Sequence, residues 1–132
     1  MVLIDDEIRL IDAAKEYLTA FLMDSGEFYP FAMIMDKNGE IYPLEHEVTE
    51  EHPDPRSLIR LYEQTFSNEI KTEYTLGILC VNVLVNTNSN RLDKKRDAVE
   101  IGLYGKSYKK NVLLYYELRE NAVIYQELVG QG

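Results

Sequence analysis

The chain has 132 residues and ordinary apolar content, which suffices for one hydrophobic core and is too little for two. Its net charge of −9 is uneven, because residues 1–55 carry 14 acids and 3 bases whereas residues 56–132 carry 9 acids and 11 bases. This excess of negative charge disfavours nucleic acid as a partner. We therefore expect a single domain over residues 1–132, whose acidic half either forms a solvated surface or meets a cationic partner.

The sequence contains no apolar run long enough to span a bilayer, so no membrane contact is expected. The acids Asp5, Asp6 and Glu7 stand where a secretory signal would carry basic residues. The single Cys80 excludes an internal disulfide and lies in an apolar run. These features predict a cytosolic protein with a buried, unreactive Cys80.

In chain order, the first predicted element is a helix over residues 5–24, which Gly26 can end in a left-handed conformation. Two short strands, residues 31–35 and 40–44, then flank a turn in which Gly39 can take a positive φ. The apolar stripe of the helix is Ile4, Ile8, Ile11, Ala14, Leu18, Phe21 and Leu22.

The second predicted helix begins at Pro55, with Asp54 as its N-cap, and continues to about Glu69. Its apolar stripe contains Leu58, Leu61, Tyr62 and Phe66. The alternating residues 74–104 then predict a long antiparallel hairpin around a polar turn. Residues 112–118 form a further strand, and residues 122–128 form a last element that is a strand or a short helix.

This order predicts an α+β fold: a two-layer, antiparallel sheet of five to six strands with two helices on one face, in the order α-β-β-α-β-β-β-β. The order is similar to that of roadblock-like and profilin-like domains. Roadblock-like domains commonly pair through a sheet edge and a helix, so this resemblance implies self-association. It implies nothing about chemistry, because fold does not determine function.

Four segments carry a closer resemblance: residues 26–32 (Gly-Glu-Phe-Tyr-Pro-Phe-Ala), 36–40, 80–83 and 97–100. They resemble a family of small bacterial proteins of unknown function over most of the chain. Members often carry a Glu-His pair after the later strand, where this chain has Tyr104 and Gly105. The resemblance implies a bacterial origin and a single domain, and it supplies no activity, metal or cofactor.

Catalytic signatures are absent from the sequence. No serine lies in a Gly-x-Ser-x-Gly elbow, and no glycine spacing fits a phosphate-binding loop. His46, Glu50 and His52 are weak metal-ligand candidates, but the two histidines lack the i, i+4 spacing of a helical site and flank no preorganised element. We expect a hydrated loop there, no cofactor and no enzymatic activity.

Tyrosines and basic residues cluster in the second half of the chain, a combination typical of interfaces and of anion or aromatic-ligand sites. The alternative is cross-strand aromatic packing beside solvated lysines. The apolar strand before the turn is the other candidate contact. The candidate interaction residues are Cys80, Asn82, Leu84, Lys94, Lys95, Arg96, Tyr104, Tyr108, Tyr115 and Tyr116.

The leading hypothesis is a non-enzymatic cytosolic protein-interaction domain, adaptor or immunity-like. It is expected to form a homodimer through the strand of residues 74–86 or through the tyrosine-bearing face. The alternative is a small-molecule sensor with a pocket between sheet and helices, lined by Met33, Met35, Tyr62 and Phe66. An enzyme ranks behind both.

Overall fold

The computed structural model describes residues 2–44, 54–69, 74–89 and 92–131. Within them, one antiparallel sheet has the strand order β2-β1-β3-β4-β5-β6. The α+β class, the element order and the final strand are confirmed. The elements are α1 (Asp5–Ser25), β1 (Phe31–Asp36), β2 (Ile41–Pro43), α2 (Pro55–Glu69), β3 (Tyr74–Ser89), β4 (Leu92–Tyr104), β5 (Lys109–Arg119) and β6 (Ala122–Gln131).

The predicted caps and turns form as the sequence indicates. Gly26 ends α1 with φ 77°, and its N–H donates to the Leu22 carbonyl at 2.9 Å. The Asp54 carboxylate accepts the Arg56 N–H at 3.3 Å at the start of α2. In the β1–β2 turn, Asp36 Oδ1 accepts the N–H groups of the second and fourth residues after it, and Gly39 has φ 81°.

The two helices lie on opposite faces of the sheet, so the predicted two-layer arrangement with both helices on one face is wrong. On β1, Met33 and Met35 pack in the core beneath α1, whereas Ala32 and Ile34 pack in the core beneath α2. Successive strand side chains point to opposite faces, so a strand with four consecutive buried residues needs cover on both sides. The sheet is therefore sandwiched at β1 and the first half of β3.

The same alternation removes the predicted sensor pocket. Met33 and Met35 face α1, whereas Tyr62 and Phe66 belong to α2 on the other side of the sheet. The sheet itself separates the two pairs, so they cannot line one cavity. These four side chains are packing residues of two separate cores, and each is at least nine-tenths buried.

The buried stripe of α1 differs from the predicted one by a rotation of the helix. Ile4, Ile8 and Phe21 are 50%, 43% and 36% exposed, whereas Glu7 and Leu10 are fully buried. On α2, Leu61 is likewise exposed. Periodicity alone could not select the buried face, because α1 offers apolar residues around more than half of its circumference.

The second face of the sheet is only half covered by α2. Beyond Val81, the side chains on this face form a small separate cluster of Ala98, Leu113 and Tyr115, with Val83 and Val85 packed against it. No helix in the described part of the chain belongs to this cluster. We call these five residues the open-face cluster.

Gly77 lies directly beneath Phe66, and this contact sets how closely α2 approaches β3. A Cβ on Gly77 would lie 2.5 Å from a ring carbon of Phe66, whose ring also stacks on Tyr104 at a centroid distance of 4.8 Å. We predict that Gly77→Ala lowers the free energy of unfolding by about 1–3 kcal/mol through overpacking. Urea unfolding measures it, and the double variant with Phe66→Leu should cost less than the two single changes together. Additive costs would contradict the contact.

Candidate interaction surface

β3 is a central strand, which limits the predicted contact through residues 74–86. Between Tyr74 and Cys80 it is hydrogen-bonded to β1 on one side, and β4 lies on the other side from Gly77 onward. Cys80 is fully buried in the α1 core, and burial raises the pKa of its thiol to about 12. The predicted burial of Cys80 is confirmed, whereas its inclusion among contact residues is wrong because no partner can reach it.

Beyond Cys80 the hairpin of β3 and β4 extends away from the sheet. Pairing of β1 with β3 stops at Phe31 and Cys80, and pairing of β4 with β5 stops at Ala98 and Tyr115. Pairing of β3 with β4 continues to Ser89 and Leu92. Residues 81–89 and 92–97 therefore form a two-stranded ribbon, which we call the arm. No described strand pairs with the outer edge of β3 along the arm.

The root of the arm is anchored on both faces, whereas its middle is exposed. Tyr116 donates its hydroxyl to Asn82 Oδ1 at 2.7 Å on the α1 side. Val83 and Val85 pack against the open-face cluster on the other side. Leu84, on the α1 side, is 60% exposed. Of the predicted contact residues on β3, Leu84 is accessible and Asn82 is engaged within the chain.

The basic residues predicted to contact a partner, Lys94, Lys95 and Arg96, do not share one face of the arm. Arg96 lies over the Tyr115 ring at 3.9 Å, pairs with Glu127 and donates to the side chain of Gln126 at 2.7 Å. Tyr115 is 8% exposed, so this pair closes the open-face cluster and does not present a contact surface. Lys95 is exposed on the opposite face. The side chain of Lys94 lies outside the described part of the structure.

The predicted tyrosine-bearing face does not exist as one surface. Tyr104 and Tyr115 lie on the α2 side, whereas Tyr116 and Tyr125 lie on the α1 side. The side chains of consecutive strand residues point to opposite faces, as those of Tyr115 and Tyr116 do. The pairing of β5 with β6 is also irregular between Leu114 and Tyr116. Burial raises the pKa of Tyr116 to about 12, and the side chain is internal, so the prediction that Tyr116 contacts a partner is wrong.

Tyr108 is 40% exposed and belongs to a polar cluster around the buried Glu7, which no sequence pattern indicated. It donates its hydroxyl to Glu7 Oε2 at 2.9 Å, and Lys110 Nζ donates to Glu7 Oε1 at 2.7 Å and to the Val2 carbonyl at 3.1 Å. The Ile4 N–H also donates to Glu7 Oε1 at 2.9 Å. Burial opposes ionisation of Glu7, but these bonds outweigh it and hold its pKa below the ordinary value. The cluster fastens the start of α1 to β5.

A second missed feature is an aromatic pocket at the C-terminal end of α1. The Phe31 ring lies 5.3 Å from that of Tyr17 and 5.4 Å from that of Phe21, measured between centroids. The adjoining pocket has a volume of about 260 Å³. The signal available in the sequence was three aromatic residues within residues 28–31. The pocket is lined by Phe21, Asp24, Ser25, Glu27, Phe28, Tyr29, Pro30 and Phe31.

The weak metal candidates His46, Glu50 and His52 lie outside the described residues. Among the described residues, no group of three or more histidine, cysteine or acidic side chains could hold a metal ion. Neither described helix has the length and apolarity needed to cross a bilayer.

No protein-family model, curated protein or solved structure matches the chain. The function is therefore inferred from the structure itself, above all from the unpaired edge of β3 along the arm.

The Glu7 cluster generates a pH-dependent prediction. Because the folded-state pKa of Glu7 is lowered, its carboxylate stabilises the fold above the unfolded-state pKa, and that contribution disappears as pH falls through the folded-state pKa. We predict that Glu7→Gln lowers the free energy of unfolding by about 1–3 kcal/mol at neutral pH. The difference from wild type should shrink below about pH 4.

Urea unfolding of both proteins between pH 3 and pH 7 measures this difference. Asp5→Asn, a change in an exposed acid of the same helical turn, is the matched control and should leave the unfolding curve nearly unchanged. A Glu7→Gln penalty that is independent of pH would show that packing, and not the ionised carboxylate, stabilises this end of α1.

Proposed function

We propose that the chain is a non-enzymatic, cytosolic protein-interaction domain that forms a homodimer through the open edge of β3. The observation that carries the proposal is the arm, in which β3 continues for nine residues past its last pair with β1. An unpaired strand edge offers a row of backbone donors and acceptors that another strand can complete. Nine residues of strand span about 30 Å.

The open edge lacks the devices that normally protect a sheet from pairing. Residues 81–90 contain no charged side chain and no proline, in a chain of which 28% of residues are charged. The outer strands are better protected: β2 has three residues and ends at Pro43, and β6 carries Glu127. The edge of β3 is therefore the described edge best suited to pairing.

Self-pairing satisfies the geometry of a twofold dimer. Two copies of one strand pair antiparallel about an axis perpendicular to the sheet, so side chains of the same face meet, and one residue lies opposite its own copy. Near the centre of the arm this residue is Leu84 or Val85. Both are apolar, so like charges are not brought together. Phe31 occupies the position beside Cys80 and limits the pairing to residues beyond it.

We predict a dimer by light scattering at micromolar concentration, and a monomer for Leu84→Lys, because the substitution places two like charges near the twofold axis. Leu61→Lys is the matched control, since Leu61 is also exposed but lies on α2. Its dimer should persist. A monomeric wild type would contradict the proposal.

Cysteine scanning locates the axis. We predict that one of Leu84→Cys, Val85→Cys and Asn86→Cys forms an intermolecular disulfide under mild oxidation while the other two do so weakly, since neighbouring positions lie too far from their own copies. Buried Cys80 does not compete. A dimer in which none of the three variants crosslinks would assign self-association to another surface, with β6 the next edge to test.

A further inference from the structure

The aromatic pocket beside the C-terminal end of α1 has walls that favour a cation. Phe21, Phe28, Tyr29 and Phe31 line it, and the faces of aromatic rings attract positive charge. Phe21 and Tyr29 are 36% and 47% exposed, so both rings can be reached from solvent.

Two further sources of negative potential converge on the same pocket. The acidic residues Asp24 and Glu27 belong to its lining, and both are exposed. The pocket also lies at the end of α1, where the backbone carbonyls give a helix its partial negative charge. The last turn of α1 contains no basic residue that would neutralise this charge. The carboxylates and the helix terminus therefore act in the same direction, beside aromatic rings.

The size of the pocket fits one side chain. Its volume of about 260 Å³ lies below the ~300–1,000 Å³ typical of small-molecule sites. A guanidinium group stacks on aromatic faces and forms paired hydrogen bonds with carboxylates, whereas an ammonium group is compact and strongly hydrated. Among protein cations, arginine suits these walls best.

We propose that this pocket binds an arginine side chain presented by a basic partner protein. The charge of the chain agrees, because the pocket lies within residues 1–55, which carry the whole of the negative excess. The proposal does not rest on the homodimer, since the pocket residues all lie between Phe21 and Phe31 of one chain.

The test is a titration of the isotope-labelled full chain with N-acetyl-arginine amide, followed by amide chemical shifts. We expect saturable shifts confined to residues 21–31. N-acetyl-citrulline amide, which has nearly the same shape without the charge, should produce none. The double variant Asp24→Asn with Glu27→Gln should weaken binding about tenfold. Asp12→Asn with Glu16→Gln, an equal charge change on α1 outside the pocket lining, should leave binding unchanged.

Three results would overturn the proposal: absence of shifts at residues 21–31, equal shifts with the citrulline probe, or equal weakening in both double variants. Light scattering of the same samples reports the homodimer separately. A dimer without arginine binding overturns this proposal alone, and a monomer that binds arginine overturns the homodimer alone.

Discussion

The alternation of side chains along β3 is the constraint on which the rest of the structure depends. Leu76, Ile78 and Cys80 complete the core beneath α1, and Leu79 completes the core beneath α2. One strand therefore joins both cores, and its pairing with β1 and β4 fixes their relative position. Because both faces are needed, the first half of β3 is apolar at nearly every position.

The second half of β3 lacks the neighbours that cover its first half. Phe31, the first residue of β1, is the last partner of β3 on that side, and α2 does not extend over Val83 and Val85. The strand nevertheless keeps its apolar character and continues paired with β4 alone. An unpaired strand edge with apolar side chains is stabilised when another strand pairs with it. The homodimer proposal follows from this mismatch between the length of β3 and the length of its neighbours.

The acidic half of the chain contributes two different kinds of carboxylate. Glu7 is buried and bonded to Lys110 and Tyr108, so it serves the fold. Asp24 and Glu27 are exposed beside aromatic rings and lie outside any described ion pair, so their field is available to a cation from solution. Net charge cannot distinguish these roles, because only the surroundings of each carboxylate decide whether it is neutralised within the chain.

The sequence by itself determined the elements and their order. Local signals were sufficient for this, because Gly26 and Gly39 need positive φ, Asp54 caps α2, and the 74–104 pattern alternates. It did not determine which face of the sheet each helix covers, since β1 is apolar on both faces. The tyrosine cluster in the sequence predicted one surface for Tyr115 and Tyr116, but the pleat of β5 turns these neighbouring side chains to opposite faces. The open edge of the arm arises only because Phe31 is the last partner of β3 and lies opposite Cys80, and a contact between such distant segments leaves no local pattern. The aromatic pocket, by contrast, forms within residues 21–31, where the aromatic residues are visible in the sequence and only their packing needs the fold.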